Sequence, residues 1–408
     1  MVDERPHLLF LCHRIPYPPD KGDKIRSYHW WAAVVERFRV HLGAFIDDPA
    51  DWVHVGKLQA RCASSLFVPL PRTRALLRSL TGLLRGTAMT LPYYRDARMT
   101  RWVQTQRTRD DIGYVLVFSS AMGQYVEGVC WSRARRIIDF VDVDSDKWRQ
   151  YAQTRPWPTN WVYRREALRL AQAEEGLARN FAASLFVSEP EAALFRDRVA
   201  APGQRVHAIR NGVDAAYFRS VVGCVSPFPA DCEPVVFTGA MDYWANVDAV
   251  LWFVREVWPR VRAQRPRALF AVVGSRPSPE IEALSCGDIV VTGRVPDVRP
   301  YLQAAGVVVA PMRVARGIQN KVLEGMAMAK PVVVTSKALE GIVAVPRRDL
   351  LLADEPGAFA DAILAVLGAG DEGLGSRARR LVEREYDWAV STQQLMALLL
   401  GRDRVAPA

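Results

Sequence analysis

The stretch "GVVVAPMRVARGIQNKVLEGMAMAKPVVV" (306–334) places two short apolar runs on either side of a segment with helical spacing. Runs such as "GVVV" and "PVVV" do not alternate with polar residues, so they predict parallel strands covered on both faces. A helix between two such strands is a βαβ unit. Within that helix Lys321 and Glu324 are three residues apart and share a face. A cation near the first turn works against the helix dipole. A bound anion at the helix start would remove that cost, and a carboxylate one turn later could accept hydrogen bonds from ribose hydroxyls. An i,i+3 salt bridge on a solvated face reads the same residues equally well.

The same alternation runs through all 408 residues, half of them apolar. Predicted strands are "HLLFLC", "RVHLGAF", "SLFVP", "YVLVFS", "RRIIDFV" and "ASLFVS" in the first half. "PVVFTG", "ALFAVVG", "DIVVTG", "GVVVAP" and "PVVVTS" follow in the second. Helical segments such as "NVDAVLWFVREVWPRV" lie between them. The expected fold is α/β, with two doubly wound Rossmann-like domains facing a cleft. The first is expected over 1–205 and the second over 212–387, and a helix at 388–402 should pack back on the first. No 18-residue apolar run predicts a membrane-spanning helix. The N-terminus reads as a first strand rather than a signal peptide. Six cysteines without a CxxC pair point to reduced thiols in the cytoplasm.

The net charge of +10 is confined to the first half. Residues 1–210 hold 32 Lys and Arg against 22 Asp and Glu, and the remainder holds 22 of each. Such asymmetry suggests an anionic partner: a membrane surface, a nucleic acid or a phosphorylated substrate. No DNA- or RNA-binding motif is present. In "RTRALLRSLTGLLRG" (72–86), Leu76, Leu77, Leu80, Leu83 and Leu84 share one helical face, with Arg74, Arg78 and Arg85 opposite. That pattern suits a helix lying in a membrane interface, or one packing its leucines on the sheet.

"RNGVD" (210–214), "VSEPEA" (187–192) and "KVLEGMAMAKPVV" (321–333) together resemble retaining glycosyltransferases of family 4, which have the GT-B fold. "HRIPYPPDKGDKIRSYH" (13–29) is similar to a subgroup associated with PEP-CTERM/exosortase exopolysaccharide loci. The resemblance implies sugar transfer from a nucleotide-diphosphate sugar to a polyprenyl-linked glycan, without a metal or other cofactor. The enzyme would sit on the cytoplasmic face of the inner membrane, with no nucleic acid among its partners. Glu324 would hold the donor ribose, and Lys321 the diphosphate. Gly239 would belong to the donor site, and Gly317 would open the helix whose N-terminus meets the donor phosphates. Gly22 and Lys24, in "PYPPDKGDKIR" (16–26), would face the donor phosphates and the acceptor. Where family members often carry a first glutamate, this chain has Arg316, which would join Lys321 at the phosphates. The loop "TGAMDYWANVD" (238–248) lacks the basic residue usual there, and Ala329 stands where a helix-ending glycine is usual.

Three readings stay open for "DFVDVDSDK" (139–147). Asp142 could touch the transferred sugar, Asp142 and Asp144 could form a D-x-D metal motif, or Asp144 and Ser145 could cap a helix. His13 could contact substrate or be structural. Two other functions fit parts of the chain. A nucleotide-sugar epimerase of the same fold would share the donor-binding half, and a nucleic-acid-binding protein would account for the basic charge.

Overall fold

The structure, a computed structural model, describes residues 4–19, 22–154, 156–201, 203–315, 318–370 and 373–402. Two compact units divide the chain: Met1–Arg210 with Ser391–Ala408, and Asn211–Val390.

The first unit is built on a seven-stranded sheet. Its strands are β1 (His7–Cys12), β2 (Arg39–Ile46), β3 (Ser64–Pro69), β4 (Ile112–Phe118), β5 (Arg135–Val141), β6 (Ala183–Phe186) and β7 (Val206–Ala208). Their order is β3-β2-β1-β4-β5-β6-β7, and every neighbouring pair is parallel. The second unit has six parallel strands: β8 (Glu233–Thr238), β9 (Ala268–Val273), β10 (Ile289–Val291), β11 (Val307–Ala310), β12 (Val332–Val334) and β13 (Leu351–Leu352). They run β10-β9-β8-β11-β12-β13. In both sheets the order reverses beside the first strand, and ligands of such sheets bind at the carboxyl ends near that reversal. The continuous apolar runs are explained by their surroundings: Val307–Val309 and Val332–Val334 are wholly buried.

All eleven expected strands are present. Two more, β7 and β13, lie at sheet edges and are three and two residues long. β7 is interrupted by His207, and β13 covers only two residues of the run Leu350–Ala353. Residues 206–208, which the expected bounds of 1–205 and 212–387 leave between the domains, form the last strand of the first sheet. The terminal helix Trp388–Leu399 is tied down at Leu398, whose carbonyl accepts from Arg135 Nε at 2.7 Å.

The helix Asn320–Ala327 ends as a Schellman motif. Ala329 N–H donates to Met326 O at 3.0 Å, and Lys330 N–H to Gly325 O at 3.1 Å. This geometry puts Ala329 at φ 54°, a left-handed conformation that glycine adopts freely. Ala329→Gly is therefore expected to stabilise the second unit. The strain relieved, about 1–2 kcal/mol, exceeds the extra unfolded-chain entropy of glycine, about 0.4–1 kcal/mol. Calorimetry should show that unit's melting temperature rising by roughly 1–3 °C, and a fall would contradict the assignment.

Candidate active site

The carboxyl end of β8 turns through Thr238 and Gly239 into the helix Trp244–Trp252, and the segment after β11 leads into Asn320–Ala327. Lys321 is the second residue of that helix and is buried. Its ammonium donates to Asn246 Oδ1 at 2.5 Å and lies 4.3 Å from the centre of the Phe237 ring. Asn246 Nδ2 in turn donates to Ala240 O at 2.8 Å. A side chain at Gly239 would meet Asn246 Nδ2 at 2.8 Å and Lys321 Nζ at 3.2 Å, so only glycine fits over this pair.

The salt bridge between Lys321 and Glu324 does not form. The ammonium turns to Asn246 instead, and among the described residues the half-buried Glu324 carboxylate makes no hydrogen bond or ion pair. Burial pushes the Lys321 ammonium down to about 7, against the pull of Glu324. Burial likewise pushes the Glu324 carboxyl up to about 7, against the pull of Lys321. Two ionisable groups held at this cost, one beside a glycine turn and one without a partner, suit a polar ligand at the strand ends. Thr238 Oγ1, also buried, has no hydrogen-bond partner among the described residues.

Asn246 is the residue that the sequence reading missed. Its only signal was a lone amide in "WANVDAVLW", which is apolar apart from it and Asp248. Arg316 and Gly317 lie outside the described residues, and the helix starts at Asn320 rather than at Gly317.

In the first unit Gly22 is the first residue of the helix Gly22–Val35. Lys24 and Arg26 are both buried. Lys24 is buried and paired with Asp51 at 2.7 Å, so its charge is already met by a carboxylate. Arg26 is fully buried and grips Asp139 through Nε at 2.7 Å and Nη2 at 3.3 Å, and Trp30 Nε1 donates to the same carboxylate at 2.6 Å. This is a hydrogen-bonded ion pair inside the fold, where removing either partner strands a buried charge.

Strand β5 ends on Val141 at φ 71°, a costly conformation for a β-branched residue, immediately before Asp142. The two carboxylates of the D-x-D pattern share one ammonium: Lys147 Nζ lies 2.8 Å from Asp142 and 3.0 Å from Asp144. Burial lowers the Lys147 pKa, but Asp144 and Asp142 outweigh it and hold the group well above the ordinary lysine value. The lysine thus stands where a metal bridging these two carboxylates would sit. Ser145 is held from behind by Glu174, through its N–H at 3.2 Å and its hydroxyl at 2.6 Å. Burial raises the Glu174 carboxyl to about 8.

Asp144 also faces a cavity of about 400 Å³ in the first unit, whose lining includes His13, Leu76, Tyr93, Trp148 and Tyr163. His13 stacks on Phe118, with centroids 5.7 Å apart, and meets the edge of Tyr94. Beside the cavity the leucine face is the outward one. Two short helices, Arg72–Ser79 and Thr81–Leu84, replace the single expected helix, and they bury Ala75, Ser79 and Gly82. Leu76, Leu77, Leu80 and Leu84 are 50%, 68%, 49% and 89% exposed. The leucines are therefore not core residues. Arg72, Arg74 and Arg85 are exposed, whereas Arg78 donates to Tyr93 O at 2.8 Å.

Residues 233–369 match the family described as glycosyl transferases group 1. No curated protein matches the chain. Among solved structures, the chain is similar to sucrose-phosphate synthase from Thermosynechococcus elongatus, at 18% identity and a TM-score of 0.68, covering 98% of this chain and 100% of that one. It is also similar to HepE of Anabaena in complex with UDP-glucose, at 15% identity and 0.63, covering 97% and 99%. WaaG, a glycosyltransferase involved in lipopolysaccharide biosynthesis, gives 14% and 0.65, covering 97% and 100%. These likenesses extend the GT-B fold over both sheets, and the group 1 match covers the second sheet with Lys321 and Glu324. The chain has the GT-B fold, and within it residues 233–369 match the glycosyl transferases group 1 family.

Proposed function

We propose that the protein is a retaining, family 4 enzyme that moves a sugar from a nucleotide-diphosphate sugar to a polyprenyl-linked glycan. It would do so at the cytoplasmic face of the inner membrane, in exopolysaccharide biosynthesis. The observation that carries this reading is Lys321 under the Gly239 turn with Glu324 one turn along the same helix, the first a buried cation and the second a carboxylate without a partner among the described residues. Glu324 accepts from the donor ribose, and Lys321 holds the diphosphate, joined there by Arg316. HepE, whose structure contains UDP-glucose, supports a nucleotide-sugar donor. The bond from the sugar's anomeric carbon to the diphosphate breaks as the acceptor hydroxyl attacks from the same face. The acceptor's proton passes to the departing diphosphate. Lys321 and the helix N-terminus stabilise the charge that develops on that group.

No metal is assigned to the reaction, because Lys147 already meets Asp142 and Asp144. Asp142, held by that lysine, faces the transferred sugar. The acceptor's lipid-linked end reaches the aromatic cavity beside Leu76. The cavity and the exposed leucines favour this reading over an epimerase, which needs no acceptor. The group 1 match favours it over a nucleic-acid-binding protein. The assignment to the exopolysaccharide subgroup rests on the resemblance of residues 13–29. Product analysis by NMR tests the proposal. A glycolipid with the donor's anomeric configuration, formed equally well in EDTA, is expected. An inverted product, a free altered sugar, or activity that vanishes in EDTA and returns with manganese would contradict it.

The charge states give a pH signature. Above pH about 7 the free enzyme loses the Lys321 ammonium, and below it Glu324 takes up a proton. Donor affinity should therefore peak near neutrality, with the two limbs belonging to the coupled pair. On the alkaline side it should fall by up to about tenfold per pH unit. Lys321→Arg, whose guanidinium stays charged, should flatten that limb. Titration calorimetry with an intact nucleotide sugar, whose diphosphate stays ionised throughout, reads the profile. A flat profile from pH 6 to 9 would contradict it.

A further inference from the structure

At the amino ends of the first sheet's strands, away from the cavity, three donors converge. His7 opens β1, His41 is the third residue of β2, and Asp110 caps the helix Ala97–Arg109 just before β4. His7 Nδ1 and His41 Nε2 are 2.8 Å apart, with the rings stacked at 5.1 Å and 17°. The Asp110 carboxylate lies 3.9 Å from His7 Nδ1 and 4.0 Å from His41 Nε2. We propose that His7, His41 and Asp110 form a binding site for a divalent transition metal, zinc being the best match, with water as the fourth ligand.

Three observations carry the proposal. The first is the donor set, since two imidazoles and a carboxylate suit zinc and its neighbours rather than magnesium or calcium. The second is spacing. Metal–ligand bonds of about 2.0–2.1 Å at tetrahedral angles separate donors by about 3.3 Å. The nitrogens lie closer than that, and Asp110 lies farther, with Oδ1 nearest His7 and Oδ2 nearest His41 and one donor atom of each residue within 4.8 Å of the others, so the nitrogens open slightly and the carboxylate turns one oxygen inward. The third is the support behind His41. Ser64 donates its hydroxyl to Gln106 Oε1 at 2.9 Å, so its oxygen accepts from His41 Nδ1–H at 2.7 Å. That bond fixes the tautomer and leaves His41 Nε2 with a bare lone pair aimed at the site, as supporting residues do around bound metals. Without metal, His7 Nδ1–H donates to that lone pair. On binding, the metal replaces this proton, which moves through solvent to His7 Nε2. His41 is buried, while Asp110 and His7 remain partly open to solvent and provide the entry path. The metal would clamp β1, β2 and the approach to β4, and takes no part in sugar transfer.

The test uses the untagged full chain, freed of metal by chelation. Titration with Co²⁺ should give visible bands of a tetrahedral ion at one equivalent per chain, displaced by Zn²⁺. His7→Gln and Asp110→Asn should each weaken binding at least tenfold, and Ser64→Ala about tenfold. Circular dichroism and nucleotide-sugar binding should not change. No Co²⁺ or Zn²⁺ bound at stoichiometric concentration, or equal binding by wild type and both ligand variants, would overturn the proposal and leave the trio as a hydrogen-bonded pair beside an aspartate.

Discussion

Lys321→Gln should lower kcat by roughly 10²–10³-fold while the protein stays folded. The magnitude follows from removing one preorganised charge from a buried site where negative charge develops on the leaving group. The ammonium is held by Asn246 and by the Phe237 ring, so it is positioned before the donor arrives and loses little on reorganisation. Stability should change by no more than about 1–2 kcal/mol. The buried cation costs free energy that its removal returns, whereas losing its bond leaves Asn246 Oδ1 short of a donor. A side chain acting only in ground-state binding would raise KM and leave kcat alone. Steady-state kinetics on the wild type and the variant decide, and a kcat within about threefold of wild type would remove Lys321 from the chemistry.

Changing Arg72, Arg74 and Arg85 together to Gln should weaken binding to anionic vesicles by about a hundredfold. Each basic side chain near an anionic leaflet contributes on the order of 1 kcal/mol, and about 3 kcal/mol corresponds to that factor. All three are exposed, so the fold should not notice. Arg78 is left in place because it holds the Tyr93 carbonyl and sits 3.9 Å from Asp96. Leu77→Ser with Leu84→Ser should also reduce binding, since these side chains are 68% and 89% exposed and would enter the interface. Flotation with and without anionic lipid, across a salt series, separates the two contributions, because salt screens only the charges. Equal flotation of wild type and both variants, or no flotation at all, would contradict membrane docking.

The two-sheet architecture was legible because buried parallel strands need uninterrupted apolar runs, and "GVVVAP" and "PVVV" have no other use. Edge strands β7 and β13 were not: "VHA" is broken by His207 and β13 is two residues long, whereas the short edge strand β10 is an unbroken "IVV". Lys321 and Glu324 stood out as the charges in an apolar segment. Their lack of contact with each other could not be read from a three-residue spacing, because Asn246 comes from a helix 75 residues earlier. For the same reason the pairing of Lys24, expected at the donor phosphates, was not legible. Its carboxylate, Asp51, lies 27 residues on, a pairing that local sequence does not encode, whereas Lys147 and Asp144 are i,i+3 neighbours on one helix. The leucine helix was ambiguous because amphipathicity states that two faces differ, not which one is covered. The small residues Ala75, Ser79 and Gly82 proved to be the packed side.

Donor binding by wild type and Glu324→Ala, measured by calorimetry against a panel of nucleotide sugars at pH 7, tests the central assignment most directly. The wild type should bind at least one nucleotide sugar. The variant should bind it roughly 10–100-fold more weakly, the loss expected when hydrogen bonds to a charged acceptor are removed at about 1.5–3 kcal/mol, with the melting temperature of the ligand-free protein nearly unchanged. No binding by the wild type to any member of the panel, or equal binding by the variant, would contradict the account.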